Sequence, residues 1–292
     1  MSKFTLYLLT KKGFDCLKYL VGNLTYKNSL SQIVIARDKG NKEDYYNEIK
    51  TLCTKEGISV FDRVSHEIKE TDYGVAIGWK WLINDCKNLI VIHDSLLPKY
   101  RGFSPLVNML INGEKTIGAT AIFASKMMDE GDIITQEKEL IEYPIKINDA
   151  IDIMSKIYVR IIKKIFKILH ETGSLDAIPQ NEELATYSLW RDEDDYLINW
   201  KTNAVSIERF VNAVSYPYSG AITFLSDDTL LRLIEVKALP KYKFEHNCEG
   251  KIFMYKDGFP LVACKSGAIA ILKAVDDSGE IYSFKRLRQK LK

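Results

Sequence analysis

Between residues 3 and 93 the chain repeats one pattern: a short apolar run, a turn, then a segment with apolar positions at helical spacing. Lys3 to Thr10 has strand character and leads through Lys11-Lys12-Gly13 into an amphipathic piece from Cys16 to Val21. Gln32 to Ala36 reads as a second strand, closed by the charged turn Arg37-Asp38-Lys39-Gly40. The spacing predicts a helix over Glu43 to Glu56 and a strand at Ile58 to Phe61. Tyr73 to Gly78 and Leu89 to His93 are two more apolar runs of strand length. Strands alternating with helices predict a doubly wound, mainly parallel α/β domain. No G-x-G-x-x-G follows the first strand, so the dinucleotide phosphate loop is missing.

Asn148-Asp149 caps the clearest helix, with apolar residues at Met154, Ile157, Tyr158, Ile161, Ile162, Ile165, Phe166 and Leu169. Lys156, Arg160, Lys163, Lys164 and Lys167 fall mostly on the other side and read as a solvated face rather than a polyanion site. Gly173 and Pro179 break the pattern, and Gln180 to Asp195 is polar and irregular, as in a linker. A short helix near Ile207 to Val214 precedes five candidate strands: 221–225, 230–236, 250–255, 260–263 and 268–274. Turn residues separate them, which predicts a small β-rich, barrel-like module. The organisation expected is an α/β domain over 1–178, a linker over 179–206 and the β module over 207–292.

Composition narrows the function classes. With 292 residues and 46% apolar content the chain can bury a real core, which excludes a disordered tail protein or a stapled mini-domain. Lys plus Arg number 41 against 39 acids, so a net charge of +2 gives no general pull toward nucleic acid. Five cysteines without a CxxC pair argue against structural zinc and for reduced thiols, so no metal is expected. No apolar run near the N-terminus reaches signal-peptide or membrane-span length, so a cytoplasmic protein with no membrane partner is expected.

The densest chemistry lies in Ile90 to Gly102, where an apolar strand delivers His93 at its carboxyl end and a Pro-bounded turn presents Lys99 and Arg101. Asp129 follows thirty-six positions after His93 (129 minus 93), in Met128-Asp129-Glu130-Gly131-Asp132, before another strand. A His with a remote carboxylate is equipment for proton transfer. By itself the pair is also compatible with a structural His and an ordinary acidic turn.

HDSLLPKYRG (93–102), Gly118-Ala119-Thr120 and MDEGDII (128–134) resemble the folate-dependent formyltransferases, which use 10-formyltetrahydrofolate. The resemblance extends to Ile77-Gly78-Trp79-Lys80-Trp81-Leu82-Ile83, Ser188 to Arg191, and Ala213 to Ala221. The last two stretches, with the β module after them, resemble the branch that formylates nucleotide-linked amino sugars for surface glycans. That resemblance implies His93 and Asp129 as catalytic residues, His93 stabilising developing oxyanion charge and moving the amine proton. The family's third catalytic group is an Asn two positions before the His, where this chain has Val91. Losing one oxyanion donor typically costs roughly 100- to 1000-fold in rate. Ser95, Asn84 and Asn88 are nearby polar candidates to replace it.

The resemblance also implies a folate pocket formed by Ile77, Gly78, Trp79, Trp81 and Leu82, faced by Met127, Met128 and Gly131. Read from the residues alone, the two Trp side chains could equally anchor a helix start. For the acceptor, Ser95, Lys99, Tyr100 and Arg101 follow the catalytic strand, with Arg101 the foremost anion-binding candidate beside the reading of a buried structural Arg. Trp190, Arg191, Tyr196, Tyr216 and Tyr218 are candidates for sugar or base stacking, or for packing at a domain joint. The expected partner is a nucleotide-linked amino sugar, and relatives in the family are often homodimers. Two alternatives stand beside this reading: a methionyl-tRNA formyltransferase, which needs a basic surface, and a non-catalytic binding protein, which Val91 alone would favour.

Overall fold

The computed structural model describes every residue except Met1, Lys39, His66, Asn84, Asp85 and Asn247, so the Asn84 candidate lies outside the described residues. The chain divides into two compact units: residues 1–106, 116–140 and 151–189, and residues 107–115, 141–150 and 190–292.

The first unit is built on a seven-stranded sheet. Its strands are β1 (Phe4–Leu8), β2 (Leu30–Ile35), β3 (Ser59–Asp62), β4 (Tyr73–Ile77), β5 (Leu89–His93), β7 (Thr116–Phe123) and β8 (Ile133–Leu140). The two-residue β6 (Arg101–Gly102) pairs in parallel with β9 (Tyr187–Ser188) outside that sheet. The order is β3-β2-β1-β4-β5-β7-β8, with β7 antiparallel to both its neighbours and the other strands all running the same way. All five residues of β1 are buried, as the centre of a parallel sheet covered on both faces requires, and the one short polar member, Thr5, is hydrogen-bonded to Thr71 and Gln32. The chain leaves β1 toward β2 on one side and returns to β4 on the other, so the carboxyl ends of β1 and β4 form the topological switch point where such sheets receive ligands.

Helices α1 (Thr10–Val21), α2 (Leu24–Ser29) and α3 (Tyr46–Glu56) lie between the first strands. Gly57 ends α3 at φ 68, donating its N–H to the Cys53 and Thr54 carbonyls. Helix α4 covers Pro105–Asn112 and α5 covers Ile147–Thr172. The predicted apolar stripe of α5, from Met154 through Leu169, is buried, and Phe166 stacks on Phe4 of β1 at 4.5 Å. Its basic face is more than solvated: Arg160 and Lys164 pair with Glu137, and Arg160 also with Glu139, all on β8. The Lys164 bond holds the Glu137 carboxyl below its usual range, against the cost of burial.

The second unit contains α6 (Ala204–Ala213) and an antiparallel sheet of β10 (Ala221–Phe224), β11 (Leu230–Leu239), β12 (Ile252–Lys256), β13 (Phe259–Ala263) and β14 (Ala268–Asp276). Asp257 and Gly258 join β12 to β13 with φ of 53 and 84, a two-residue hairpin that Asp-Gly makes with little strain. Trp200 donates to Thr223 Oγ1 inside this unit.

Candidate active site

Alternation along β5 puts Leu89, Val91 and His93 on one face and Ile90 and Ile92 on the other. His93 ends the strand opposite Thr120 of β7 and is 7% exposed. Its Nε2 lies 2.8 Å from the Tyr100 carbonyl, and its Nδ1 lies 3.5 Å from Asp129 Oδ1. Both ring nitrogens therefore face oxygens. A doubly protonated imidazole supplies a donor to each, whereas the neutral ring supplies one.

The turn after His93 is stitched by its own side chains. Ser95 donates to the Lys99 carbonyl at 2.6 Å, and the Leu97–Pro98 bond is cis. Thr120 Oγ1 donates to the Ser95 carbonyl and accepts from the Leu97 amide and from Gln136. Tyr100 stands at φ 59, which swings its carbonyl onto His93.

Asp129 lies in the β7–β8 loop at φ 59, and its Oδ2 accepts the Gly102 amide at 2.8 Å. Gln180 donates to the carbonyls of Asp129 and Gly131, and its own carbonyl oxygen receives Arg101. Gly131 is obligatory: a Cβ there would stand 1.6 Å from the Phe123 carbonyl oxygen. The Arg101 guanidinium is bidentate on Glu182 at 2.7 Å and lies 3.5 Å from Glu130. Each member of the Arg101–Glu182 pair holds the other charged, Arg101 above and Glu182 below its usual range.

Three expected contacts change character. Arg101 is fully buried with its donors committed, so it ties the 129–131 loop and residues 180–182 to the strand end instead of meeting an acceptor. Ser95 is also fully buried and holds the turn, which leaves it no surface for a substrate. Ile77 puts its side chain into the core and gives its carbonyl to the Leu9 amide, so it lines no pocket.

The other expected folate contacts are open to various degrees. No helix forms at 78–83; Trp79 sits edge-on to Tyr7 at 5.5 Å and to Trp81 at 5.1 Å. The Arg63 guanidinium lies 4.7 Å over the Trp81 ring. Gly78 takes φ 64, and a Cβ would press on the Leu9 carbonyl at 3.0 Å. The Trp79 indole N–H is buried with no partner among the described residues. Leu82, Met127 and Met128 are exposed. Val91 packs with Trp79, Leu89 and Ile83 against the buried trio Tyr7, Val34 and Ala76. Asn88, offered as a substitute donor, gives its amide to the Asp72 carbonyl instead. Lys99 is exposed and Tyr100 half-buried. Trp190, Arg191, Tyr196, Tyr216 and Tyr218 belong to the second unit, where Arg191 grips Asn108 at 2.6 Å. Burial pushes the Cys53 and Cys264 thiols up to about 12, which keeps them from acting as thiolates.

Sequence reasoning missed Gln180, Glu182 and Thr186, whose Oγ1 accepts the Tyr100 amide at 2.9 Å, all in the irregular stretch. Nothing in their local pattern marks them. It also gave no role to Lys12 or Asp94, and none to the Tyr158 hydroxyl. Asp94, adjacent to His93, was the one available signal.

Residues 71–159 match the formyl transferase family, and residues 191–290 match the formyl transferase C-terminal domain. The methionyl-tRNA formyltransferase of Carboxydothermus hydrogenoformans is 33% identical over 195 residues, 66% of this chain. The chain spans only 61% of that relative's length. Among solved structures, WlaRD, a sugar 3N-formyl transferase in the presence of dTDP and 5-N-formyl-THF, superposes with a TM-score of 0.70 at 17% identity. That match covers 95% of this chain and 98% of WlaRD. The N-formyltransferase from Helicobacter canadensis, in complex with folinic acid and dTDP-3-aminofucose, gives a TM-score of 0.69 at 15% identity, over 97% of this chain and all of the other.

Proposed function

The chain belongs to the formyl transferase family, and on that premise we propose that it moves a formyl group from 10-formyltetrahydrofolate to the amine of a nucleotide-linked amino sugar. The carrying observation is the imidazole of His93, held between the Tyr100 carbonyl and Asp129 at the carboxyl end of β5. Support for the sugar acceptor comes from two structural neighbours that are N-formyltransferases solved with dTDP or a dTDP-amino sugar and that match nearly end to end. A net charge of +2 also gives little pull toward tRNA. The product would be a formamido sugar, of use in a surface glycan.

The residues present suit a folate. Trp79 and Trp81 offer aromatic faces to a flat heterocycle, and the unpartnered Trp79 N–H seeks an acceptor. Met127, Met128 and Leu82 add exposed apolar surface that a ligand could cover. When bound, the folate supplies the formyl group. His93 would take the proton that the attacking amine loses and return it to the nitrogen that gives up the formyl group. The Tyr100 carbonyl fixes Nε2, while the 3.5 Å gap to Asp129 is too long for a tight hydrogen bond and leaves Nδ1 able to exchange a proton. Asp129 orients the ring, and the Gly102 amide with Gln180 orients Asp129. Exposed Lys99 offers a cation to an acceptor phosphate.

A second reading, transfer to methionyl-tRNA, is favoured by the name of the 33%-identical relative. Both acceptors are tested together: a panel of nucleotide-linked amino sugars and charged initiator tRNA, each with 10-formyltetrahydrofolate, followed by mass. One added formyl group on a sugar is the expected result. Formylated tRNA with unmodified sugars would replace the proposal with the second reading, and folate binding without transfer would make the chain a binding protein.

A further inference from the structure

We infer that Lys12, Asp94 and Tyr158 form a buried positioning device that pins the backbone on both sides of His93 and sets a balanced charge pair behind its ring. The Tyr158 hydroxyl, from α5, lies 2.8 Å from the Ile92 carbonyl and 2.6 Å from Asp94 Oδ1. One hydroxyl thus bridges the residue before the catalytic His and the residue after it. From α1, the Lys12 ammonium closes on Asp94 Oδ2 at 2.5 Å and stands 5.2 Å over the Tyr158 ring. Tyr158 is 1% exposed and Lys12 9%.

An apolar trio would stabilise this junction at least as well, because buried ion pairs are often neutral or worse for stability than apolar replacements. A charged cluster kept under the catalytic strand end therefore has a use beyond holding the fold. Both carboxylate oxygens of Asp94 are taken, Oδ1 by Tyr158 and Oδ2 by Lys12, so it is a positioning residue rather than a catalytic one. Its action passes through position and charge. The groups facing His93 are Asp129 from the β7–β8 loop, the Tyr100 carbonyl from the following turn, and this trio from α1, α5 and the strand itself. Burial alone would raise the Asp94 carboxyl, but Lys12 foremost, with Tyr158 and His93, brings it below the usual range. Burial next to that carboxylate pushes the Tyr158 phenol well up, so it serves as a donor throughout the working pH range.

The catalytic half of the inference rests on His93 as the proton carrier proposed above; the electrostatic half does not. Imidazole NMR on the full chain, with the His93 signal assigned by His93→Ala, reads the second half directly. Asp94→Asn leaves Lys12 uncompensated and lowers the His93 titration midpoint, while Lys12→Met leaves Asp94 uncompensated and raises it, each by about half a pH unit. Replacing both together returns the midpoint to within about 0.2 of the parent. Asp94→Asn and Tyr158→Phe, which keeps the buried ring, lower kcat about tenfold or more with the folate KM within about twofold. Shifts of the same sign in both single variants, no shift in either, or full kcat in Asp94→Asn would overturn the inference. An inactive parent protein whose variants still shift His93 in opposite directions would instead sink the formyl-transfer reading alone.

Discussion

Asp129 holds a left-handed backbone conformation with one carboxylate oxygen on an amide and the other facing His93, so its charge and its geometry can be separated by substitution. Asp129→Asn keeps an acceptor for Gly102 and removes the charge. Turnover should fall roughly 100- to 10,000-fold with the folate dissociation constant little changed, and His93→Ala should do the same. Stopped turnover accompanied by lost folate binding would place these residues in binding instead. Val91 is the other decisive residue. Its apolar side chain sits in the Tyr7, Ala76 and Trp79 cluster on the same strand face as His93. Val91→Asn should cost roughly 1–3 kcal/mol of stability by burying an amide, while adding a donor that raises kcat about tenfold. Unchanged kcat in a folded variant would mean that the oxyanion is served without position 91.

At the scale of elements, the β7–β8 loop does for Asp129 what β5 does for His93. Gly131 lets the loop lie against the Phe123 carbonyl, where a methyl group would overlap it at 1.6 Å. Gly131→Ala should lower stability by about 3 kcal/mol and abolish turnover, because Asp129 moves with the loop. Wild-type melting and kcat in that variant would refute the constraint. Helix α5 shows how differently the elements announce themselves. Its apolar stripe was legible because eight apolar side chains recur at one period over most of its 26 residues, whatever they pack against. The pairing of Arg160 and Lys164 with Glu137 was not, because a basic face on a helix looks the same whether water or a neighbouring strand meets it. The same limit hid Arg101. Its sequence position after β5 fits an anion site, and only the return of Gln180 and Glu182 from 79 and 81 positions away shows it to be a tie.

Over the whole molecule, acid should expose these ties together. Asp94 and Glu137 both sit below their ordinary values of 3.8 and 4.5, so the folded chain binds their protons less readily than the unfolded chain. Their contribution to stability is complete above those ordinary values and drains as pH falls toward the folded ones. The melting midpoint should stay nearly flat from about pH 7 to 5 and drop below about pH 4.5, less steeply in Asp94→Asn. A midpoint unchanged to about pH 3 would contradict this electrostatic account. The sequence by itself determined the alternation of strands and helices and the β-rich second half, since periodicity is a property of the chain alone, and it singled out His93 with Asp129 only through the resemblance of their motifs to a family. Only the tertiary structure decided that Ile77 and Ser95 are interior, that Arg101 is consumed by Glu182 and Gln180, and that Lys12 and Tyr158 meet Asp94 beside His93. Burial and ion pairing between residues 64 to 82 positions apart depend on which elements the sheet order makes neighbours, and no local pattern carries that order.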